Sequence, residues 1–406
     1  MTAYGIAMSR IKLILINLLV LVCILLALFV VLEVGSRVWL DWFASDAAFH
    51  KYASLCQLEA RNALAPNPAF RYSPHRYLGY YPTPNYRDGA NRHNALGYRG
   101  AEVTQPKPPG EFRIVCMGGS TTYTALVTSY KYAYPTLLQK DLRQRGYSNV
   151  TVVNAGAEAW TSYETLINFE LRVLDLDPDM IIIYHGTNDV LARFLYPPSA
   201  YKGDNSGYRG PNVSQVVMPN ILEYSTLLRI LGIRMNYILP HAYLARTLVK
   251  PLPTDVMPLW AHQVVNGTYP SGIFKKMSAR EILERNPPIY FQRNLENIIA
   301  IAQAHRIKTV LATFAYSPQF TKSPFATAKD YVWTYKQSND VLKHLARTNH
   351  DVFLFDYAAE FPPDKKYWGD ELHVNYDGAE LKANLFADYL QDADLVPRPR
   401  SVRAIP

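Results

Sequence analysis

The sequence predicts an α/β protein in which helices cover both faces of a five-stranded parallel sheet. Short apolar runs alternate with stretches of helical periodicity, and continuous apolar strands of this kind are typical of parallel sheets buried on both sides. Polar residues gather directly after several of these runs, as expected where the carboxyl ends of strands form a site. The composition, 49% hydrophobic and 19% charged, is that of a globular protein. The five predicted strands are Phe112–Met117, Val150–Val153, Met180–Tyr184, Thr309–Phe314 and Val352–Phe355.

An apolar segment near the start predicts a membrane anchor over residues 13–34. The run from Leu13 to Leu32 is broken only by Asn17, and about 20 helical residues span the ~30 Å hydrocarbon layer. Arg10 and Lys12 precede it, so the positive-inside bias places residues 1–12 in the cytoplasm and the rest outside. The alternative is a cleaved signal peptide, but the run is long for one and no small-x-small cleavage site follows it.

The remaining chain is divided by its composition. Residues 35–110 are predicted to comprise two parts. The first is a stalk that is helical over 38–66, and the second is a lead-in rich in Pro, Tyr, Asn and Arg with one short hairpin. Residues 111–392 form the α/β domain, interrupted at about 195–290 by a long insertion rich in Pro and Tyr. Residues 393–406 form a basic tail. The predicted helices of the domain follow Ser120 to about Arg145 and cover about Ser162–Leu174, Phe291–His305, Lys329–Thr348 and Tyr376–Leu390.

Charge and cysteine content exclude two classes of function. The formal net charge is +8, but the basic residues are scattered and form no block interleaved with aromatic residues, so we expect no nucleic-acid partner. The three cysteines, Cys23, Cys56 and Cys116, form no Cys-x-x-Cys or Cys/His cluster, so a zinc site is not expected.

Four clusters of small or polar residues fall at the carboxyl edge of the predicted sheet. The first strand ends at Gly-Gly-Ser120, the second at Asn154–Gly156 and the third at His185–Asp189. The loop before the last helix holds Asp370–His373. Each cluster alone is explained by a helix cap or a turn, but their common location favours a catalytic site.

These residue types suit nucleophilic catalysis. The Ser120 hydroxyl is a weak nucleophile until a base removes its proton, and His373 is the natural base. Asp370, three residues earlier, is close enough to hold the other imidazole nitrogen. The Asn188 side chain and the Ser120 N–H are candidate donors to an oxyanion.

The four clusters resemble the sequence blocks of SGNH (GDSL-like) hydrolases. The matching segments are Gly118–Thr121, Asn154–Gly156, Gly186–Asp189 and Asp370–His373. The stretch Asn94–Gly100 is similar to one found ahead of the first block in membrane-anchored bacterial members with a Gly-Gly-Ser-Thr block.

The resemblance implies a three-layer α/β/α flavodoxin-like fold and no metal or cofactor. It implies Ser120, Asp370 and His373 as the catalytic residues, and an oxyanion hole of the Ser120 N–H, a backbone N–H at Ala159 and the Asn188 side chain. Gly119 stands where the family commonly has Asp. Ala159 stands where the second block commonly has Gly, and if this position requires a positive φ, a strain of about 1 kcal/mol or more follows.

The leading interpretation is a serine esterase that hydrolyses O-acyl esters, most simply O-acetyl, on an extracytoplasmic glycan or lipid through an acyl-enzyme. One alternative is an O-acyltransferase that uses the same site to acylate a cell-surface polysaccharide. The other is a catalytically silent glycan-binding or scaffold protein of a membrane assembly. The expected location is the cytoplasmic membrane, single-pass, with the N-terminus inside and the catalytic domain periplasmic or extracellular.

Overall fold

The computed structural model describes residues 3–60, 68, 70–75, 77–209, 220–238, 240 and 254–398. The chain divides into two compact units. The first unit is Met1–Pro66 with Asn212–Thr247, and the second is Asn67–Pro211 with Leu248–Pro406. The predicted tail beyond residue 398, with Arg400 and Arg403, lies outside the described residues, as do 210–219 and 241–253 of the predicted insertion.

The first unit is helical. Among the residues that the structure describes, one helix, over Ile11–Phe43, is long and apolar enough to cross a membrane, as the sequence predicts. Leu40, Phe49, Leu58 and Ile233 form a small buried cluster in this unit. Its helices, numbered in chain order over the whole protein, are α1 (Ala3–Val38, continued by a π-helical turn at Trp39–Phe43), α2 (Asp46–Tyr52), α3 (Leu55–Ala60), α8 (Asn220–Tyr224) and α9 (Thr226–Arg234).

The second unit is built on a five-stranded parallel sheet with the order β6-β5-β7-β8-β9, which confirms the predicted fold class. The chain passes from β5 to β6 on one side and then to β7 on the other. The carboxyl end of β5 therefore lies at the switch point where open α/β sheets place their sites. The strands are β5 (Phe112–Gly118), β6 (Val150–Gly156), β7 (Met180–Tyr184), β8 (Lys308–Ala312) and β9 (Val352–Phe355).

Alternate side chains of the strands enter two separate cores, one on each face of the sheet. Cys116 and Ile182 belong to one core, and Val115 and Ile181 belong to the other. The helices of this unit are α4 (Ser120–Tyr123), α5 (Tyr134–Gln144), α6 (Ser162–Asn168), α7 (Thr187–Arg193), α10 (Met257–Val265), α11 (Ala279–Arg285), α12 (Ile289–Ala304), α13 (Pro324–Thr327), α14 (Lys329–Thr348), α15 (Tyr357–Glu360) and α16 (Tyr376–Asp392).

Two local predictions require correction. The single helix expected from Ser120 to about Arg145 is broken, because Thr124 adopts the left-handed conformation (φ 64°) and ends α4 after one turn. The lead-in contains two antiparallel strand pairs, where one hairpin was predicted: β1 (Tyr72–His75) with β2 (Gly79–Pro82), and β3 (Arg87–Asp88) with β4 (Asn91–Arg92).

Candidate active site

Ser120 stands at the first position of α4, directly after the carboxyl end of β5. The two preceding residues must be small. A Cβ on Gly118 would lie 2.3 Å from both the Thr122 hydroxyl and the Tyr184 carbonyl oxygen. A Cβ on Gly119 would lie 2.6 Å from Nδ2 of Asn188. The glycine pair thus lets the serine turn approach β7 and α7 closely.

The structure brings Ser120, His373 and Asp370 together in a connected chain of hydrogen bonds. The Ser120 Oγ lies 2.7 Å from His373 Nε2. The other ring nitrogen, Nδ1, lies 2.9 and 2.8 Å from the two carboxylate oxygens of Asp370. A carboxylate only accepts, so Nδ1 carries the proton and Nε2 is left to accept from the serine hydroxyl. The histidine is therefore held in the tautomer that a general base needs.

The turn before α16 fixes Asp370 independently of the imidazole. Its Oδ1 also accepts from the backbone N–H groups of Leu372 and His373, at 2.8 and 2.7 Å. Burial acts to raise the pKa of Asp370, but its bonds to the His373 ring and to these N–H groups outweigh it, and the pKa lies below its ordinary value. The carboxylate is consequently ionised at neutral pH.

The structure leaves hydrogens available on the three donors that the sequence predicts for an oxyanion, the Ser120 N–H, the Ala159 N–H and the Asn188 side chain. The N–H groups of Ser120 and Ala159 have no acceptor among the described residues. The Asn188 amide donates to the Trp160 carbonyl at 2.8 Å, and its second hydrogen is left for another acceptor. Ala159 has φ 60°, so the strain anticipated for an alanine at this position is present.

The loop that carries Ala159 is braced on both sides. The Arg209 guanidinium donates to the Ala159 carbonyl and to the Glu164 carboxylate, the latter at 2.9 Å. The Tyr80 hydroxyl donates to the Glu158 carbonyl at 2.5 Å. These contacts hold the backbone in its left-handed conformation. Arg209 could not be predicted, because it lies in the predicted insertion and matches no motif.

The stretch Asn94–Gly100, singled out from the sequence, supports the segment after the nucleophile. The buried Arg99 guanidinium donates to the carbonyl oxygens of Tyr123, Thr124 and Val127 at 2.5, 2.9 and 2.5 Å. Its charged plane also lies 4.5 Å from the centre of the Tyr123 ring. The chain after the single turn of α4 is thus held by hydrogen bonds to a charged side chain.

A buried lysine on α16 lies beneath the serine turn. Lys382 is 1% exposed, and its Nζ lies 4.1, 3.7 and 5.2 Å from the ring centres of Tyr134, Tyr184 and Tyr357. It donates to the carbonyl of Thr121, the residue after the nucleophile, at 3.3 Å. Burial lowers the pKa of this amine well below its ordinary value.

Sequence reasoning overlooked Lys382, although a signal was available. Helical spacing places it on the same face of α16 as Ala379, Ala383 and Phe386, which are buried. A lysine on such an apolar helix face predicts a buried amine with a specific partner, because lysines are rarely fully buried without one.

Asp189 supports the site from the base of α7. Its carboxylate accepts from the Ser162 backbone N–H at 3.0 Å and from the Ser162 hydroxyl at 2.6 Å. This ties the start of α6 to the block that carries Asn188.

An exposed aromatic side chain occurs close in sequence to His373. Ser120 and His373 are partly exposed. Tyr376, three residues after His373, is exposed and packs edge to face against exposed Tyr132, with ring centres 5.4 Å apart. Its hydroxyl lies 2.7 Å from the Thr128 hydroxyl.

Within the residues that the structure describes, no three His, Cys, Asp or Glu side chains are grouped so that they could hold a metal ion. The candidate site is built from hydrogen-bond donors, a base and a hydroxyl.

Residues 116–267 match the GDSL-like lipase/acylhydrolase family. The chain therefore carries a hydrolase domain of the GDSL-like (SGNH) class and is a serine hydrolase that acts on ester bonds. No curated protein sequence matches it.

Several solved structures are similar to the chain. A GDSL-like lipase from Bacteroides thetaiotaomicron is 16% identical, with 72% of this chain and 93% of that chain covered and a TM-score of 0.39. An acetyl xylan esterase is 16% identical, with coverages of 69% and 100% and a TM-score of 0.39. A lipase/acylhydrolase from Enterococcus faecalis is 16% identical, with coverages of 71% and 100% and a TM-score of 0.39.

Proposed function

We propose that the protein hydrolyses O-acyl esters, most simply O-acetyl groups, on an extracytoplasmic glycan or lipid through a covalent acyl-enzyme. The observation that carries this proposal is the hydrogen-bonded chain from the Ser120 hydroxyl through His373 to Asp370. It supplies a nucleophile, a base in the required tautomer and an ionised partner for that base.

In the first half-reaction, Ser120 Oγ attacks the ester carbonyl carbon while His373 Nε2 takes the hydroxyl proton. The tetrahedral oxyanion accepts hydrogen bonds from the N–H groups of Ser120 and Ala159 and from the Asn188 amide. Collapse breaks the bond to the alcohol oxygen, which receives the proton from His373. The product alcohol leaves, and the acyl group stays on Ser120 as an ester.

In the second half-reaction, a water molecule takes the place of the departed alcohol. His373 removes a proton from it as it attacks the acyl carbon, and the same three donors stabilise the second oxyanion. Collapse returns the proton to Ser120 Oγ and releases the acid. Asp370 stays ionised throughout and stabilises the imidazolium that forms in each half.

Two exposed tyrosines support a glycan-linked substrate. Tyr376 follows His373 by three residues and packs against Tyr132, and both rings keep exposed surface. Flat aromatic surfaces with a polar tip suit sugars. We infer a single-pass location in the cytoplasmic membrane with the catalytic unit outside. This rests on the apolar helix Ile11–Phe43 and on Arg10 and Lys12 before the apolar run.

The test uses purified full-length protein and p-nitrophenyl esters of increasing acyl length. We expect turnover of the acetyl ester that falls as the chain lengthens. Ser120→Ala is expected to lose activity by about 10³-fold or more, whereas Ser148→Ala, at an exposed serine near the start of β6, keeps it. Unchanged turnover in Ser120→Ala would rule out the mechanism.

Two further measurements separate the proposal from its alternatives. Product analysis with and without an added polysaccharide acceptor shows whether the acyl group goes to water or to a sugar hydroxyl. A fluorophosphonate probe labels an activated serine. A folded protein whose Ser120 resists this probe would be a silent binding module.

A further inference from the structure

The first unit concentrates exposed apolar and aromatic side chains beyond the apolar run that ends at Leu32. Trp42, Phe43, Tyr224 and Tyr237 are 81%, 75%, 78% and 77% exposed. Such side chains in a soluble unit are normally covered or scattered singly. Among the described residues, the set called here the aromatic rim is Trp39, Trp42, Phe43, Ile221, Tyr224, Leu231, Met235 and Tyr237.

The rim residues of α8 and α9 belong to a segment that is hydrogen-bonded to the C-terminal part of α1. Glu33, on α1, accepts from the backbone N–H groups of Thr226 and Leu227, both at 2.9 Å, and from the Ser225 hydroxyl at 2.8 Å. Arg37, one turn later, donates to the Tyr224 carbonyl at 2.5 Å. A carboxylate at the start of α9 compensates the unpaired N–H groups and the positive end of the helix dipole.

A buried arginine completes the attachment. Arg229, on α9, donates to the Tyr52 carbonyl at 2.7 Å and to the Leu222 carbonyl at 2.8 Å. Ile233 joins Leu40 and Phe49 in the small core of this unit. Residues 220–238 are thus fixed to α1 and α2 by charged hydrogen bonds and by packing.

This attachment sets the depth of the rim along the anchor. Glu33 and Arg37 directly follow the apolar run that ends at Leu32. A helix that crosses the hydrocarbon layer with this run brings its next turns into the headgroup region. Trp and Tyr are enriched at that level because their rings are apolar and their N–H or O–H groups bond to water and headgroups.

We propose that the aromatic rim binds the interfacial layer of the lipid leaflet in which α1 ends. Residues 220–238 are then a second membrane-contacting element, which lies on the bilayer without crossing it. The occupant is lipid because exposed apolar side chains continue along the same helix past the anchor's apolar run, at Val34 and Val38 and then at Trp39, Trp42 and Phe43. The inference rests on the proposed membrane anchoring.

The test compares two leucines of equal exposure. Leu231 in the rim is 45% exposed and Leu171 in the second unit is 47% exposed. Each is replaced singly by Cys in a full-length Cys23→Ala, Cys56→Ser background that keeps buried Cys116. Both variants are labelled with the environment-sensitive dye NBD and reconstituted into phosphatidylcholine/phosphatidylglycerol liposomes with and without nitroxide lipid labelled near the headgroup.

We expect the dye at Leu231→Cys to emit at shorter wavelength than the dye at Leu171→Cys, and to lose about half or more of its intensity with nitroxide lipid. Adding Glu33→Gln to Leu231→Cys should reduce this quenching, because an amide holds the start of α9 less strongly than a carboxylate.

Each contrary result overturns a defined part of the inference. Protein that stays in the liposomes after alkaline extraction, but whose Leu231→Cys dye is not quenched, refutes the rim and leaves the anchor standing. Blue-shifted emission without quenching means that protein, not lipid, covers the rim. Equal quenching at Leu171→Cys shows that the rim contacts lipid no more than another exposed position does, and refutes the rim. Protein that fails to remain with the liposomes refutes the anchor and the rim together.

Discussion

Replacing Asp370 with Asn removes one charge and keeps the shape of the turn. The remaining Oδ1 still accepts from the backbone N–H groups of Leu372 and His373. The new amide takes the place of Oδ2, 2.8 Å from His373 Nδ1, and donates to that nitrogen. The ring proton is therefore forced to Nε2, where it faces Ser120 and the ring cannot act as a base.

The loss in kcat from this wrong tautomer is about 10⁴-fold. At about 1.36 kcal/mol per tenfold change, it corresponds to about 5 kcal/mol of activation free energy. The free energy of unfolding should change by less than about 1 kcal/mol, because the hydrogen bonds of the turn remain. Asp370→Ala should lose comparable activity and about 1–3 kcal/mol of stability, since it leaves both N–H groups without an acceptor.

The assay is hydrolysis of p-nitrophenyl acetate, with urea unfolding of the same preparations. Asp392→Asn, an exposed change at the end of α16, serves as the matched control and should resemble the native protein. Activity of Asp370→Asn within tenfold of native would refute the tautomer argument. An Asp370→Ala variant as stable as Asp370→Asn would refute the argument that the two backbone N–H groups need this acceptor.

The same carboxylate gives a dependence of stability on pH. The pKa of Asp370 is lower in the folded chain than its ordinary value, so its contribution is present above about pH 4 and is lost as pH falls through the folded pKa. Acid unfolding of Asp370→Asn should lack this contribution. If the native protein and Asp370→Asn had identical acid-unfolding curves, the predicted contribution of Asp370 to stability would be wrong.

Three further substitutions test the surroundings of the serine. Gly119→Ala places a Cβ 2.6 Å from the Asn188 amide and should lower kcat by about 10²-fold or more through loss of that donor; ester kinetics with unchanged kcat would contradict this. Ala159→Gly relieves the strain at φ 60° and should raise the free energy of unfolding by about 0.5–1 kcal/mol with activity preserved, and a destabilised variant in urea unfolding would count against it. Lys382→Met removes the hydrogen bond to Thr121 and should lower kcat about tenfold while the fold persists. Because the folded pKa of Lys382 is depressed, native stability should rise as pH increases toward about 10, and the Met variant should lack this rise.

The parts of the site that the sequence predicted are those whose chemistry is local. Gly-Gly-Ser120 and Asp370–His373 each lie within one turn of chain, and their positions follow from the ends of apolar strands. The five-stranded sheet was predictable for the same reason, since β-branched and apolar runs identify buried parallel strands without knowledge of their neighbours.

The parts that escaped prediction depend on contacts between distant segments. α4 ends at Thr124 where Arg99, 25 residues earlier, bonds to its carbonyl. Arg209 braces Ala159 from 50 residues away, and Glu33 caps a helix that starts more than 190 residues later. Such contacts cannot be recognised from periodicity or from a motif, because each is made by one isolated charged residue.

The site also has an order of assembly imposed by protein synthesis. Ser120 leaves the ribosome 253 residues before His373, its proposed base, and Asp370, His373 and Lys382 all belong to the turn before α16 or to α16 itself. A nascent chain therefore holds its serine, its glycine turn and the proposed oxyanion donors while it still lacks the proposed base. On the proposed mechanism, the serine hydroxyl stays unactivated until the C-terminal helix docks, and truncation anywhere before residue 373 should abolish activity.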